Sequence, residues 1–122
     1  MLKRTTIVTT SLVVFLFVAF VSGCTREPEL DGYPEVSFLN EVKPIISANC
    51  TQAGCHTGSR GEFPLVSYED IAGAVTPFNA RKSELYKAIT GRSERMMPPG
   101  GPMADDQIRN IFVWIEQGAK NN

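Results

Sequence analysis

"NCTQAGCHTG", residues 49–58, holds Cys50 and Cys55, two of the three cysteines of this 122-residue chain, and directly after them its one histidine, His56. Four residues, Thr51 to Gly54, separate the two thiols. In a continuing α-helix, side chains five apart point about 140° away from each other and are rarely neighbours. If both sulfurs serve one ligand, the chain must leave the helix between them, and Gly54 supplies the conformational freedom for a looped-out turn.

A thiol pair followed at once by histidine is the arrangement that attaches haem covalently. The thiols add across the two vinyl groups, and the adjacent imidazole becomes the proximal iron ligand. The usual spacing is C-x-x-C-H, so the four intervening residues here are an expansion. The competing uses of Cys50 and Cys55 are a structural disulfide, a thiol redox pair and a metal site. Export would favour a disulfide, but a disulfide has no use for His56. The thioredoxin-like motif is C-x-x-C beside a βαβ pattern, which the chain lacks. A structural zinc site takes four protein ligands, and with no second histidine only a carboxylate could complete one.

Outward from this segment the pattern is helical. Before it, Phe38, Val42, Ile45, Ile46 and Asn49 keep a helical period from the N-cap residue Ser37, with Pro44 predicting a kink or a short turn before a helix starting near Glu41. After it, "TGSRGEFPLV" is too rich in Gly and Ser for regular structure, and "SYEDIAGAV" predicts a short helix capped by Ser67. "NARKSELYKAITG" predicts one helix with Leu85, Ala88 and Ile89 on its apolar face and Gly91 beyond its end. "MMPPGGP", residues 96–102, must be a loop. "ADDQIRNIFVWIEQG" places Ile108, Ile111, Phe112 and Ile115 at i, i+3, i+4, i+7, with Gly118 as its stop. The expected class is all-α, three to four helices joined by long loops.

The first 23 residues read differently. "MLKR" is basic, Thr5 to Val21 carries no charge, and the run ends in "VSGC". This resembles a bacterial lipoprotein signal peptide, whose cleavage box is matched by Val21, Ser22, Gly23 and Cys24. The resemblance implies that Cys24 becomes the lipidated mature N-terminus; an uncleaved membrane anchor is the competing reading. Residues 24–36, acidic and proline-containing, read as a tether, and residues 37–122 as the folded domain. Removing Lys3 and Arg4 from the twelve basic residues leaves ten against thirteen acidic ones, a formal charge of about −3. Without a basic stripe, such a surface excludes a nucleic-acid partner.

From about Ser37 onward the chain resembles a small bacterial c-type cytochrome of the class I fold, in the subgroup with the expanded C-x-x-x-x-C-H attachment. Three blocks carry the likeness: "VKPIISANCTQAGCH", "KSELYKAITG" and "MMPPGGPMADDQIRNIFVWIEQGA". The resemblance implies one covalent haem c on Cys50 and Cys55, with His56 as one axial ligand. In this family a methionine before proline, in the loop preceding the last helix, is the other ligand, and it maps onto Met97. A proline-fixed loop can present a thioether to iron with little motion. Met96 and Met103 remain alternatives, and methionines commonly just fill gaps.

The resemblance also implies that the carbonyl of Pro64 holds the other nitrogen of the imidazole and that Leu65 presses on the porphyrin. Arg81, Lys82, Arg92 and Arg95 are candidate partners for the haem propionates. Trp114 and Phe112 are expected in the core, packing the last helix across the first. The family usually has Ser or Thr as N-cap of the last helix, where this chain has Ala104, so Asp105 is expected to shift into that role.

The implied function is single-electron transfer without catalysis, in an exported setting, lipid-anchored on the periplasmic side of the inner membrane or on the outer membrane. Its partners would be redox proteins of a respiratory chain. Two other classes stay open: a haem enzyme or gas sensor with a vacant iron position, and a disulfide-stapled lipoprotein without cofactor.

Overall fold

Phe38, Val42, Ile46 and Cys50 recur every fourth residue and all four are buried, forming the seam along which the first helical segment joins the rest of the molecule. A computed structural model describes residues 30, 32–60 and 62–122; the signal segment, Cys24 and most of the tether lie outside the described residues. Gly32–Asn122 is one compact unit. Among the described residues there are four α-helices and no strand. None of these helices is long and apolar enough to cross a membrane.

Pro44 explains how the first segment starts. Lacking an N–H, it cannot bond to the carbonyl four residues back, and the chain enters through a wide π-turn, Phe38–Val42, before helix α1, Lys43–Cys50. The turn is held by Lys43 N–H donating to the Phe38 carbonyl and Val42 N–H to that of Ser37 at 3.2 Å. The α-helix thus starts two residues later than its expected origin near Glu41. Ser37 caps the turn, its Oγ accepting from Asn40 N–H at 3.2 Å.

Helix α2, Tyr68–Gly73, carries a capping box: Ser67 Oγ accepts from Asp70 N–H at 3.1 Å, while the Asp70 carboxylate accepts from Ser67 N–H at 2.9 Å. These bonds hold the Asp70 carboxyl below the usual carboxylate range. The segment expected as one helix from Asn79 is divided. A 3₁₀ turn, Ala80–Lys82, is followed by extended backbone at Ser83 and then helix α3, Glu84–Ile89. Ser83 causes the break. Its buried hydroxyl accepts from Thr76 N–H at 2.8 Å and donates to the Asn79 carbonyl at 2.9 Å, tying the loop together where a helix would have run through.

Helix α4, Asp105–Glu116, buries Ile111, Val113, Trp114 and Ile115. Its N-cap is Ala104, with no side-chain cap bond, and Asp105 is the first helical residue instead of the cap. There it still opposes the positive end of the helix. Gly118 lies beyond the end at φ +100, where the Phe78 ring approaches to 2.6 Å of the site a Cβ would fill. Phe78 N–H, in turn, donates to the Ile115 carbonyl at 2.8 Å.

The centre of the core is aromatic. Phe38 packs on Trp114 with centroids 5.6 Å apart and edge-on to Tyr68 at 5.1 Å, so the first segment does cross the last helix through Trp114. Phe112 is half-buried and lies on Tyr86 of α3 at 5.5 Å, and it therefore joins α4 to α3 instead of to the first segment. The chain end closes the same seam. Asn122 accepts from Phe38 N–H through Oδ1 at 2.8 Å and from Leu39 N–H through its carbonyl at 3.0 Å. Gln117 holds Val36 N–H at 2.9 Å and the Pro34 carbonyl at 3.0 Å. Pro34 to Val36, the last residues of the tether segment, are thereby fastened to the folded unit.

Phe38→Ala removes the ring that Trp114 and Tyr68 share. It should cost about 3–5 kcal/mol of unfolding free energy in a denaturant titration, whereas Leu39→Ala, at a side chain 56% exposed, should change little.

Candidate functional site

Helix α1 ends at Cys50, and the path of the chain beyond it is governed by one backbone bond: His56 N–H donates to the Cys50 carbonyl at 3.0 Å. In an uninterrupted helical C-x-x-C-H turn, the histidine N–H and first cysteine carbonyl are the i, i+4 partners of the helix ladder. Here the same two groups bond across six residues, with the two additional residues accommodated by a 3₁₀ turn, Gln52–Gly54. Cys55 N–H donates to the Gln52 carbonyl at 3.1 Å, and Gly54 turns the chain at φ +74, in the left-handed region. The expanded spacing is therefore a closed side-loop. The first cysteine and the histidine keep the hydrogen-bonded relation of the shorter motif.

The imidazole is fixed from a second direction. His56 Nδ1 lies 2.7 Å from the Phe63 carbonyl, and the backbone adds Leu65 N–H to the His56 carbonyl at 2.9 Å. A carbonyl only accepts, so Nδ1 is the donor, and in the neutral ring the lone pair falls on Nε2, which has no hydrogen-bond partner among the described residues. The accepting carbonyl is that of Phe63 and not that of Pro64, as the resemblance implies. Pro64 acts on it indirectly, since a proline confines the preceding Phe63 to extended backbone and so restricts where its carbonyl can point.

These groups open onto a cavity of about 590 Å³ lined by Cys50, Cys55 and His56 together with Leu65, Leu85, Ala88, Ile89 and Met97. Met97 arrives from the proline loop, anchored by its N–H donating to the Ala88 carbonyl of α3 at 3.0 Å. The three methionines of the 96–103 stretch have different surroundings. Met97 lines the cavity; Met96 is 44% exposed and Met103 only 5% exposed, and neither lines it. Pro98 and Pro99 also line the cavity. Of the four cations considered for propionates, Arg95 lines it, while Arg81, Lys82 and Arg92 do not.

The arrangement gathers two free thiols, an imidazole lone pair and a thioether on one largely apolar hollow, of a size that holds cofactors. The thiols differ. Cys50 is buried, and burial together with the neighbouring Cys55 pushes its thiol up to about 11, while Cys55 is exposed. Among the described residues no group of three His, Cys, Asp or Glu is placed to hold a metal ion. Sequence reasoning missed Phe63, because a backbone carbonyl leaves no side-chain signature, and missed Arg60, Glu62 and Glu84, which also line the cavity. Comparison with protein-family models, with curated proteins and with solved structures finds no match to this chain.

The thiol asymmetry is measurable. In the folded protein with both thiols free, at pH 8, iodoacetamide should alkylate Cys55 well ahead of Cys50. Cys50 should catch up only on unfolding or as the pH approaches the raised value of about 11. Equal rates in the folded chain would contradict the placement of Cys50.

Proposed function

We propose that this chain is a single-haem c-type cytochrome of the class I fold, an electron carrier that does no bond chemistry. The observation that carries the reading is the convergence of Cys50, Cys55, His56 and Met97 on one apolar cavity, although Met97 is 41 residues beyond His56 in sequence. The donor set fits the group: two thiols for two thioethers, and one imidazole and one thioether for the two axial positions of iron. When bound, the haem supplies one-electron exchange at a raised potential, the property that His/Met ligation favours.

The chain's own residues account for the rest. Cys50 and Cys55 tie the cofactor to the chain. His56 is held in the tautomer that leaves Nε2 free to ligate, by the carbonyl of Phe63 at 2.7 Å. The Ala88 carbonyl anchors the backbone of Met97, and Pro98 and Pro99 restrict the loop after it. Leu65, Leu85 and Ile89 line the cavity with apolar side chains, which would keep water from the ligands of a bound haem and raise its potential. With His56 and Met97 both holding the iron, no position would remain for oxygen or peroxide, which would separate the carrier from a haem enzyme or sensor.

The proposal includes the setting. Cys24, the last residue of the "VSGC" box, is the lipidated N-terminus, and the acidic segment beyond it tethers the domain outside the cytoplasmic membrane, within reach of respiratory redox proteins.

The axial assignment is tested with carbon monoxide. The reduced wild type should bind it poorly. Met97→Ala should bind it readily and lose the far-red sulfur-to-iron band of the oxidised protein, and Met96→Ala should behave as wild type. Avid binding by the wild type, with peroxide turnover, would make the protein an enzyme or sensor instead.

A further inference from the structure

The cavity wall carries four charged side chains, Arg60, Glu62, Glu84 and Arg95. They are not equivalent. Glu84 is engaged by Lys87, Nζ to Oε1 at 2.6 Å, whereas neither arginine has an ion-pair partner among the described residues. Arg60 alone is set against the side-loop of the attachment motif. Its Nε lies 3.9 Å from the point where a Cβ on Gly54 would sit, over the turn at φ +74 that makes the expanded spacing possible. The segment leading to Arg60 is itself tied to that turn, because Thr57 Oγ1 donates to the Gly54 carbonyl at 3.3 Å and also shares a hydrogen bond with Ser59 Oγ at 2.8 Å.

We propose that Arg60 is a positioning residue that holds a fixed positive charge on the cavity wall beside the expanded attachment loop and thereby raises the reduction potential of the bound centre. This rests on the haem-carrier reading. The physical basis is simple. The oxidised centre carries one more positive charge than the reduced one, so a nearby cation disfavours oxidation. The glycine turn leaves Arg60 beside it, its Nε 3.9 Å from the Cβ site of Gly54, an ordinary contact distance, while the φ of +74 is what favours glycine there. Glu62, two residues on, has the opposite effect, while the charge of Glu84 is largely offset by Lys87. Because Arg60 is exposed, its influence falls as salt rises, which a packing effect would not do.

The experiment is a spectroelectrochemical titration of the full-length wild type, Arg60→Gln, Arg60→Lys and Glu62→Gln at low and high ionic strength. Covalent haem content and the far-red sulfur-to-iron band are recorded on the same samples. Arg60→Gln should favour oxidation by about three- to ten-fold in the equilibrium constant, and the difference should shrink at high salt. Arg60→Lys should stay near the wild type, and Glu62→Gln should shift the equilibrium the other way. An unmoved Arg60→Gln, or an Arg60→Lys displaced as far as Arg60→Gln, overturns the role of Arg60 while the carrier reading stands. If Arg60→Gln does not accumulate, an unmoved Glu62→Gln overturns it equally, because wall charge then fails to reach the centre. A wild type without haem removes the carrier reading itself.

Discussion

The bond from His56 N–H to the Cys50 carbonyl, 3.0 Å long, is the constraint on which the site depends. It makes a helix end and a loop behave as one turn. Without it, the four residues between Cys50 and Cys55 would be a free excursion, and the imidazole would have no fixed relation to the helix that precedes it. With it, α1 ends at the first thiol, the side-loop closes, and the histidine N–H returns to the carbonyl it would meet in a shorter helical motif. The Phe63 carbonyl then fixes the ring about its remaining freedom. Two backbone carbonyls, from residues 50 and 63, thus orient the one imidazole of the chain, and neither depends on a polar side chain that could titrate.

That local geometry rests on the core that packs the segment leading into α1. Phe38, at the start of the first segment, is clasped between Trp114 and Tyr68, and the chain terminus at Asn122 covers the backbone N–H groups that an entering helix leaves unpaired. The same α4 that buries Trp114 contacts α3, and α3 carries Leu85, Ala88 and Ile89 on the cavity wall and anchors Met97. Stability and function therefore share elements. The aromatic cluster sets one end of the fold, and the helices leading away from it bring the thiols, the imidazole and the thioether to one hollow.

Much of this was legible in the sequence, because periodicity and punctuation are local signals. The helices around Ile46, Ile71, Leu85 and Ile111 come from apolar spacing, and the loop at 96–102 from its prolines and glycines. The departures have a common cause, which is that tertiary bonds leave no trace in spacing. Ser83 breaks an apparently continuous helix because its buried hydroxyl satisfies Thr76 and Asn79 instead. Asp105 does not become the N-cap of α4; the chain turns in one residue earlier, at Ala104. Phe112 faces Tyr86, a partner on α3 that no pattern within α4 could name. At the site, the thiols and His56 were readable as residue types, Met97 was singled out by the resemblance and its neighbouring prolines, and Leu65 came from the resemblance alone. The Phe63 carbonyl was not readable, since every residue carries one and only the fold selects which one faces a ring nitrogen.

The central claim is that Cys50 and Cys55 are the two attachment points of one haem. The most direct test is the intact mass of the purified chain after denaturation, when only covalent additions remain. The account predicts a red protein heavier by a single haem, with no thiol left to alkylate at either position. A colourless chain lighter by two hydrogens, with Cys50 and Cys55 joined to each other, would contradict it.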